Sequence, residues 1–203
     1  MTPNTGLQFT QDWFHWAPEL WEQIIPKLPA RKAFMEIGSY EGRSMAWTIE
    51  HMMKDGGTIT CIDTWEGGEE HEKLEKQHLE KTFDYNARVM RRAFPKREIR
   101  KAKGTSYQML TVLATQPDSE FDFIYVDGSH LAKDVISDAC LAWPMLKPEG
   151  VMVFDDYMWG DRRDALHRPK MAVDAFTSLF AEEVNLMHVG YQYVVQKLKE
   201  ETK

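Results

Sequence analysis

The stretch Phe34-Met35-Glu36-Ile37-Gly38-Ser39-Tyr40-Glu41-Gly42-Arg43-Ser44 decides the fold. An apolar run, Ala33 to Ile37, stops at a glycine, and a helix-like segment begins at a second glycine, Gly42. Strand, tight turn and helix start follow one another here. The glycines let the turn close and let backbone N–H groups approach a ligand. Glu36 stands in the turn region, where a carboxylate would repel phosphates. It suits a small charged cofactor whose near end is an ammonium.

Downstream, Thr58-Ile59-Thr60-Cys61-Ile62-Asp63 reads as a second strand, β-branched and ending in an acid. Asp63 lies about 27 residues after Glu36, close to the spacing at which a strand-end acid meets ribose hydroxyls. Turn, helix and second-strand acid together describe an adenosine cofactor. The ammonium end selects S-adenosylmethionine (SAM) over a dinucleotide. The plainer alternative is that Asp63 caps the next segment.

Working outward, strand and helix patterns alternate. Strands are predicted at Ala33–Ile37, Thr58–Asp63, Ile99–Lys103, Phe121–Asp127, Val151–Asp155, Val184–His188 and Tyr191–Lys197. Helices are predicted at Arg43–Lys54, Tyr85–Ala93, Ser106–Thr115, Lys133–Met145 and Lys170–Phe180. Such alternation argues an α/β fold: a Rossmann-like, doubly wound, seven-stranded and mostly parallel sheet with helices on both faces. Phe121–Val126 and Val151–Phe154 are nearly all apolar, as strands buried on both faces are. The last two strands are joined only by Val189-Gly190, too short for a crossover, so they form a C-terminal antiparallel hairpin.

The 203 residues fit a single domain, 1–203, with 1–30 as an aromatic-rich helical extension. Hydrophobic residues make up 43%, which marks a globular chain. A net charge of -7 argues against general nucleic-acid binding. Arg88, Arg91, Arg92, Lys96, Arg97, Arg100, Lys101 and Lys103 form a basic run, read as a solvated helix face and the loop after it. The two cysteines, Cys61 and Cys140, suggest neither a disulfide framework nor a zinc site. The sequence shows no signal core and no run of about 18 apolar residues. The expected setting is soluble, reducing and cytoplasmic, with no membrane partner.

Two segments stand outside the alternation. Phe9 to Leu28 carries Trp13, Phe14, Trp16, Leu20, Trp21, Ile24 and Ile25 at spacings of an amphipathic helix, interrupted at Pro18. It either packs over the sheet edge or lines a substrate pocket. Glu66 to Asp84 is too polar for core and reads as a flap on the cofactor side, or as a solvated helix.

In an open parallel sheet, ligands bind beyond the carboxyl ends of the strands where strand order reverses. The first five strand ends carry Glu36-Ile37-Gly38-Ser39, Asp63-Thr64-Trp65, Gly104-Thr105-Ser106, Asp127-Gly128-Ser129-His130 and Asp155-Asp156-Tyr157. Four of the five hold an acid. With Phe121 to His130, and with Leu146-Lys147-Pro148-Glu149-Gly150-Val151-Met152-Val153-Phe154-Asp155-Asp156-Tyr157, these segments resemble class I SAM-dependent methyltransferases. Within that superfamily they resemble a small O-methyltransferase-like group with Val-Asp-Gly-Ser-His and Phe-Asp-Asp-Tyr motifs. The resemblance spans roughly residues 33–197. It departs at Glu149, where the family often has a glycine.

The resemblance implies that Glu36 and Gly38, with Ser39, contact the methionine end of SAM. It places Asp63 on the ribose hydroxyls, Trp65 over adenine or ribose, and Ser106 by the adenine. Asp127, Asp155 and Asp156, at adjacent strand ends, are candidates to hold Mg²⁺ or Ca²⁺. The other reading has Asp127 positioning SAM and Asp155 or Asp156 capping a segment. Alternation along a strand brings only one of Asp155 and Asp156 to the site. His130, three residues past Asp127, is the candidate general base, histidine titrating near neutrality. Otherwise it is a helix-start residue. The implied reaction is methyl transfer from SAM to a hydroxylated small molecule, with Asp127 and His130 as catalytic residues and self-association left open. The rival classes are a SAM-binding protein without transferase activity and a nucleotide-dependent oxidoreductase.

Overall fold

The computed structural model describes residues 6–68, 78–117, 119–160 and 164–199. Its strands are β1 (Ala33–Ile37), β2 (Thr58–Asp63), β3 (Glu98–Lys103), β4 (Phe121–Val126), β5 (Leu146–Phe154), β6 (Val184–Val189) and β7 (Tyr193–Lys197). They form one sheet in the order β3-β2-β1-β4-β5-β7-β6. The first five are parallel, and β7 runs antiparallel to both β5 and β6. The order reverses between β1 and β4, so the crevice opens where those strands end.

The helices are α1 (Ala17–Ile24), α2 (Arg43–Trp47, continued by a π turn at Thr48–Met52), α3 (Leu79–Ala93), α4 (Ser106–Ala114), α5 (Ala132–Ala142) and α6 (Lys170–Leu179). In α3 the buried positions Leu79, Phe83, Ala87 and Met90 recur at helical spacing and turn one stripe to the sheet. It starts six residues earlier than predicted. The polar residues that look loop-like in sequence are its solvent face, where Glu80 and Asp84 hold Lys101 at 2.9 and 2.7 Å. Helix α4 opens on a capping box, Thr105 with Gln108.

Side-chain alternation sorts the core into two layers. Phe34, Cys61, Phe123, Tyr125 and Val153 face α1 to α3. Met35, Ile62, Ile124, Val126 and Phe154 face α5 and α6. Glu36 is in register with Cys61 and with Tyr125, in the row that turns toward the N-terminal segment.

Several expectations change in detail. Pro18 does not interrupt a helix: it lies in the first turn of α1, where its missing N–H is harmless. Residues 7–16 before it form a non-helical arm. The β6–β7 turn is residues 190–192 rather than Val189-Gly190. Glu149 adopts φ +64°, the left-handed conformation that glycine takes most easily, so the position that departs from the family's usual glycine is one whose backbone favours glycine. Of the flap, residues 69–77 lie outside the described residues, and its end is the first turn and a half of α3. Much of the basic run is engaged locally. Arg91 bonds the Ile99 carbonyl, Arg100 pairs with Glu98, and Lys103 pairs with Glu80. Among the described residues no helix is long and apolar enough to cross a membrane.

Candidate active site

The site is built where β1, β4 and β5 end side by side. The Gly38 N–H bonds the Ile62 carbonyl at 2.8 Å, Asp127 N–H bonds Ile37 at 2.8 Å, and Asp155 N–H bonds Val126 at 2.9 Å. These bonds hold the strand ends level. Gly38 takes φ +86° and presses against the Asp127 backbone.

Asp63 has a structural role beside the one expected of it. Its Oδ2 accepts the Ser39 and Tyr40 amides at 2.9 and 2.8 Å, and its Oδ1 accepts the Trp65 amide at 2.6 Å. The second-strand acid therefore fastens the turn after β1, using N–H groups that the sequence assigned to a ligand. Trp65 is also committed to the fold. Its buried indole packs on Phe83 at 4.7 Å, lies under Lys101 at 4.6 Å, and donates to the Tyr40 carbonyl at 2.9 Å. It does not stand open as a cover for adenine. Ser106 interacts through its side chain with Asp138 of α5.

Glu36 is buried, and burial pushes its carboxyl up to about 7. Its Oε2 accepts from the Ser44 hydroxyl at 2.8 Å. Its Oε1 and the Ser39 hydroxyl, also buried, have no hydrogen-bond partner within the protein. Such an orphan acceptor is expensive unless a ligand donor meets it. An ammonium is the donor its charge favours.

The acids of β4 and β5 come together. Burial and then the charges of Asp155 and Asp156 push Asp127 well above the carboxylate range. Burial and then Asp156 push Asp155 up to about 6. Asp155 accepts from the Tyr125 hydroxyl and from Gln192 Nε2, the latter at 3.1 Å. Gln192 is held in turn by Trp21 Nε1 at 2.8 Å. Regular strand alternation ends at Asp156, where φ +56° turns the chain. Asp156 Oδ2 meets His130 Nε2 at 2.8 Å. The His130 ring lies against Trp159, with centroids 4.2 Å apart.

As the side chains stand, no three His, Cys, Asp or Glu among the described residues form a metal-ligand group. Burial first, and then the neighbouring carboxylate charge, raise the proton affinity of Asp127 and Asp155 beside Asp156.

Sequence reasoning missed Tyr125, Tyr191 and Gln192; the arm belongs to the aromatic segment read above as sheet cover or pocket lining, and its Phe9, Trp13 and Phe14 line a cleft with Gly38 and Asp127. Tyr191 interacts through its hydroxyl with Asp156. Alternation could have placed Tyr125 beside Glu36. Nothing local marks Tyr191 or Gln192, which reach the acids only because β7 pairs with β5.

The fold and the strand-end acids define the class of methyltransferases built on a Rossmann-like sheet. The chain belongs to the family described as a methyltransferase domain, which matches residues 35–157. No curated protein matches it in sequence. Solved structures share the fold. An O-methyltransferase from Bacillus cereus, solved with S-adenosylhomocysteine (SAH), is 17% identical over 89% of this chain and 79% of that one, with a TM-score of 0.63. The O-methyltransferase TomG from Streptomyces achromogenes, solved with SAM, is 18% identical over 89% and 78%, at 0.62. MycE of the mycinamycin biosynthetic pathway, solved with Mg and SAH, is 15% identical over 95% of this chain and 52% of that one, at 0.60.

Proposed function

We propose that this methyltransferase uses SAM to methylate a hydroxyl oxygen of a small molecule. The observation that carries the reading is the His130–Asp156 pair, 2.8 Å apart, beside Asp127 and the Gly38 turn. SAM supplies a methyl group already activated on a sulfonium, so alignment and deprotonation fall to the protein. The orphaned Glu36 Oε1 receives the ammonium of the methionine end. Asp156 orients the His130 imidazole, and His130 takes the acceptor's hydroxyl proton. The acceptor oxygen then bonds the methyl carbon as the carbon–sulfur bond breaks, leaving neutral SAH.

Asp127, Asp155 and Asp156 would hold Mg²⁺ or Ca²⁺, and a cation there would lower the pKa of a bound hydroxyl. The Mg in the MycE complex supports this part of the reading. Isothermal titration with SAM and with NAD, followed by a methyl-release assay over hydroxylated sugars, phenols and macrolides, tests the proposal. Binding of SAM with no transfer to any acceptor would favour a regulator. Binding of NAD alone would overturn the reading.

A further inference from the structure

We propose that the N-terminal arm makes the pocket selective for the positively charged methyl donor over its neutral product, through the ring faces of Trp13 and Tyr40. The inference rests on the SAM reading above and adds a role for Trp13, which lies outside the family match.

The arm is latched over the turn after β1. The Thr10 N–H and hydroxyl bond the Glu41 carboxylate at 2.7 and 3.0 Å. Arg43 donates to the Gln11 carbonyl at 2.8 Å. Gln8 pairs through its backbone with the buried Asn86 side chain at 2.8 and 2.7 Å. So held, the arm walls a cleft that also contains Gly38, Ser39 and Asp127.

That cleft has the chemistry of a cation site. Phe9, Trp13, Phe14, Tyr40 and Tyr125 line it with rings, and Asp127 and Glu41 add carboxyl groups. Its one cation among the described residues, Arg43, is engaged by the Gln11 carbonyl and the Phe9 ring. Ring faces attract positive charge when a cation lies within about 6 Å of the centroid. The arm already shows this preference, since the Arg43 guanidinium sits 4.2 Å from the Phe9 centroid. Trp13 and Tyr40 stand 5.2 Å apart, and the Tyr40 hydroxyl is tied to Thr10 at 3.3 Å.

Glu36 cannot tell donor from product, because both carry the same ammonium. The two differ in charge only at sulfur, a sulfonium in SAM and a neutral thioether in SAH. Rings lining the cleft over Gly38, Ser39 and Asp127 can respond to that difference, and a carboxylate bound to the shared ammonium cannot.

Titration calorimetry of SAM and SAH against the parent protein, Trp13→Leu and Trp13→Phe is the test, with circular dichroism to confirm the fold. Trp13→Leu keeps apolar bulk and loses the ring. It should reduce the ratio of the SAH to the SAM dissociation constant about two- to thirty-fold. Trp13→Phe should largely preserve the ratio. A ratio unchanged in Trp13→Leu, or equal weakening of both ligands, would overturn the proposal and leave Trp13 a simple wall. If neither ligand binds the parent protein, the SAM reading itself fails and takes this inference with it.

Discussion

Gly38 and Asp127 come so close that a β-carbon on Gly38 would lie 1.9 Å from the Asp127 carbonyl oxygen. The ends of β1 and β4, the strands flanking the reversal of order, are in backbone contact there. With φ +86° at Gly38, both conformation and space exclude a side chain. Gly38→Ala should therefore push the two strand ends apart. The strain alone is about 1–3 kcal/mol, which for a chain of this size lowers Tm by roughly 2–4 °C per kcal/mol. SAM affinity should fall with it. Thermal melts and calorimetry check both, and a variant that matches the parent in each would contradict the close approach.

Glu36 links stability to pH. Its carboxyl is raised from 4.5 to about 7 by burial. Between those values the folded chain keeps a proton that the unfolded chain releases. Stability therefore falls as pH rises through that window and levels off above it. The loss amounts to as much as about 3 kcal/mol. Glu36→Gln removes this term, so its stability relative to the parent should improve from about pH 4 to about pH 8. Its SAM affinity should drop. Urea unfolding across that range is the measurement, and a flat difference would place the titration elsewhere.

Asp63 fastens the Ser39 and Tyr40 amides, so Asp63→Ala should loosen the turn as well as the cofactor. Hydrogen bonds to a charged group contribute about 1.5–3 kcal/mol, and SAM affinity should weaken by a similar amount. Hydrogen exchange at Ser39 and Tyr40 should quicken in the ligand-free protein. Unaltered exchange would mean that another group holds the turn.

His130→Ala should reduce kcat by about 10²–10⁴-fold, the range for a general base, while SAM affinity stays near that of the parent. The residual rate should climb with pH as the acceptor ionises unaided. Parent-like turnover with an unshifted profile would return His130 to a structural role.

Thorough chelation should abolish transfer and Mg²⁺ should restore it, with Asp156→Ala unresponsive to added metal. Full activity after chelation would leave Asp127, Asp155 and Asp156 with positioning duties alone.

The alternation of apolar runs with helical spacings determined the sheet, its parallel half and its closing hairpin, because periodicity of 2 or 3.6 is written locally. The strand-end acids were legible for the same reason: a strand's last residue is where its apolar run stops. What each acid does was decided by tertiary structure. Asp63 reads as a ribose ligand in sequence, and its bonds to the turn appear only in the fold, because parallel pairing of β1 and β2 brings the Ser39 and Tyr40 amides to it. Asp155 and Asp156 looked opposed on a regular strand, and the left-handed turn at Asp156 ends that regular alternation. Trp65 was placed over adenine or ribose by resemblance, and in the fold it is buried against Phe83 of α3. Gln192 carries no local mark, and the aromatic residues of the arm mark the segment without showing where it docks. Gln192 meets Asp155 across 37 positions of sequence, and Thr10 meets Glu41 across 31. Contacts of that range depend on how strands and helices pack, and no window of sequence contains both partners.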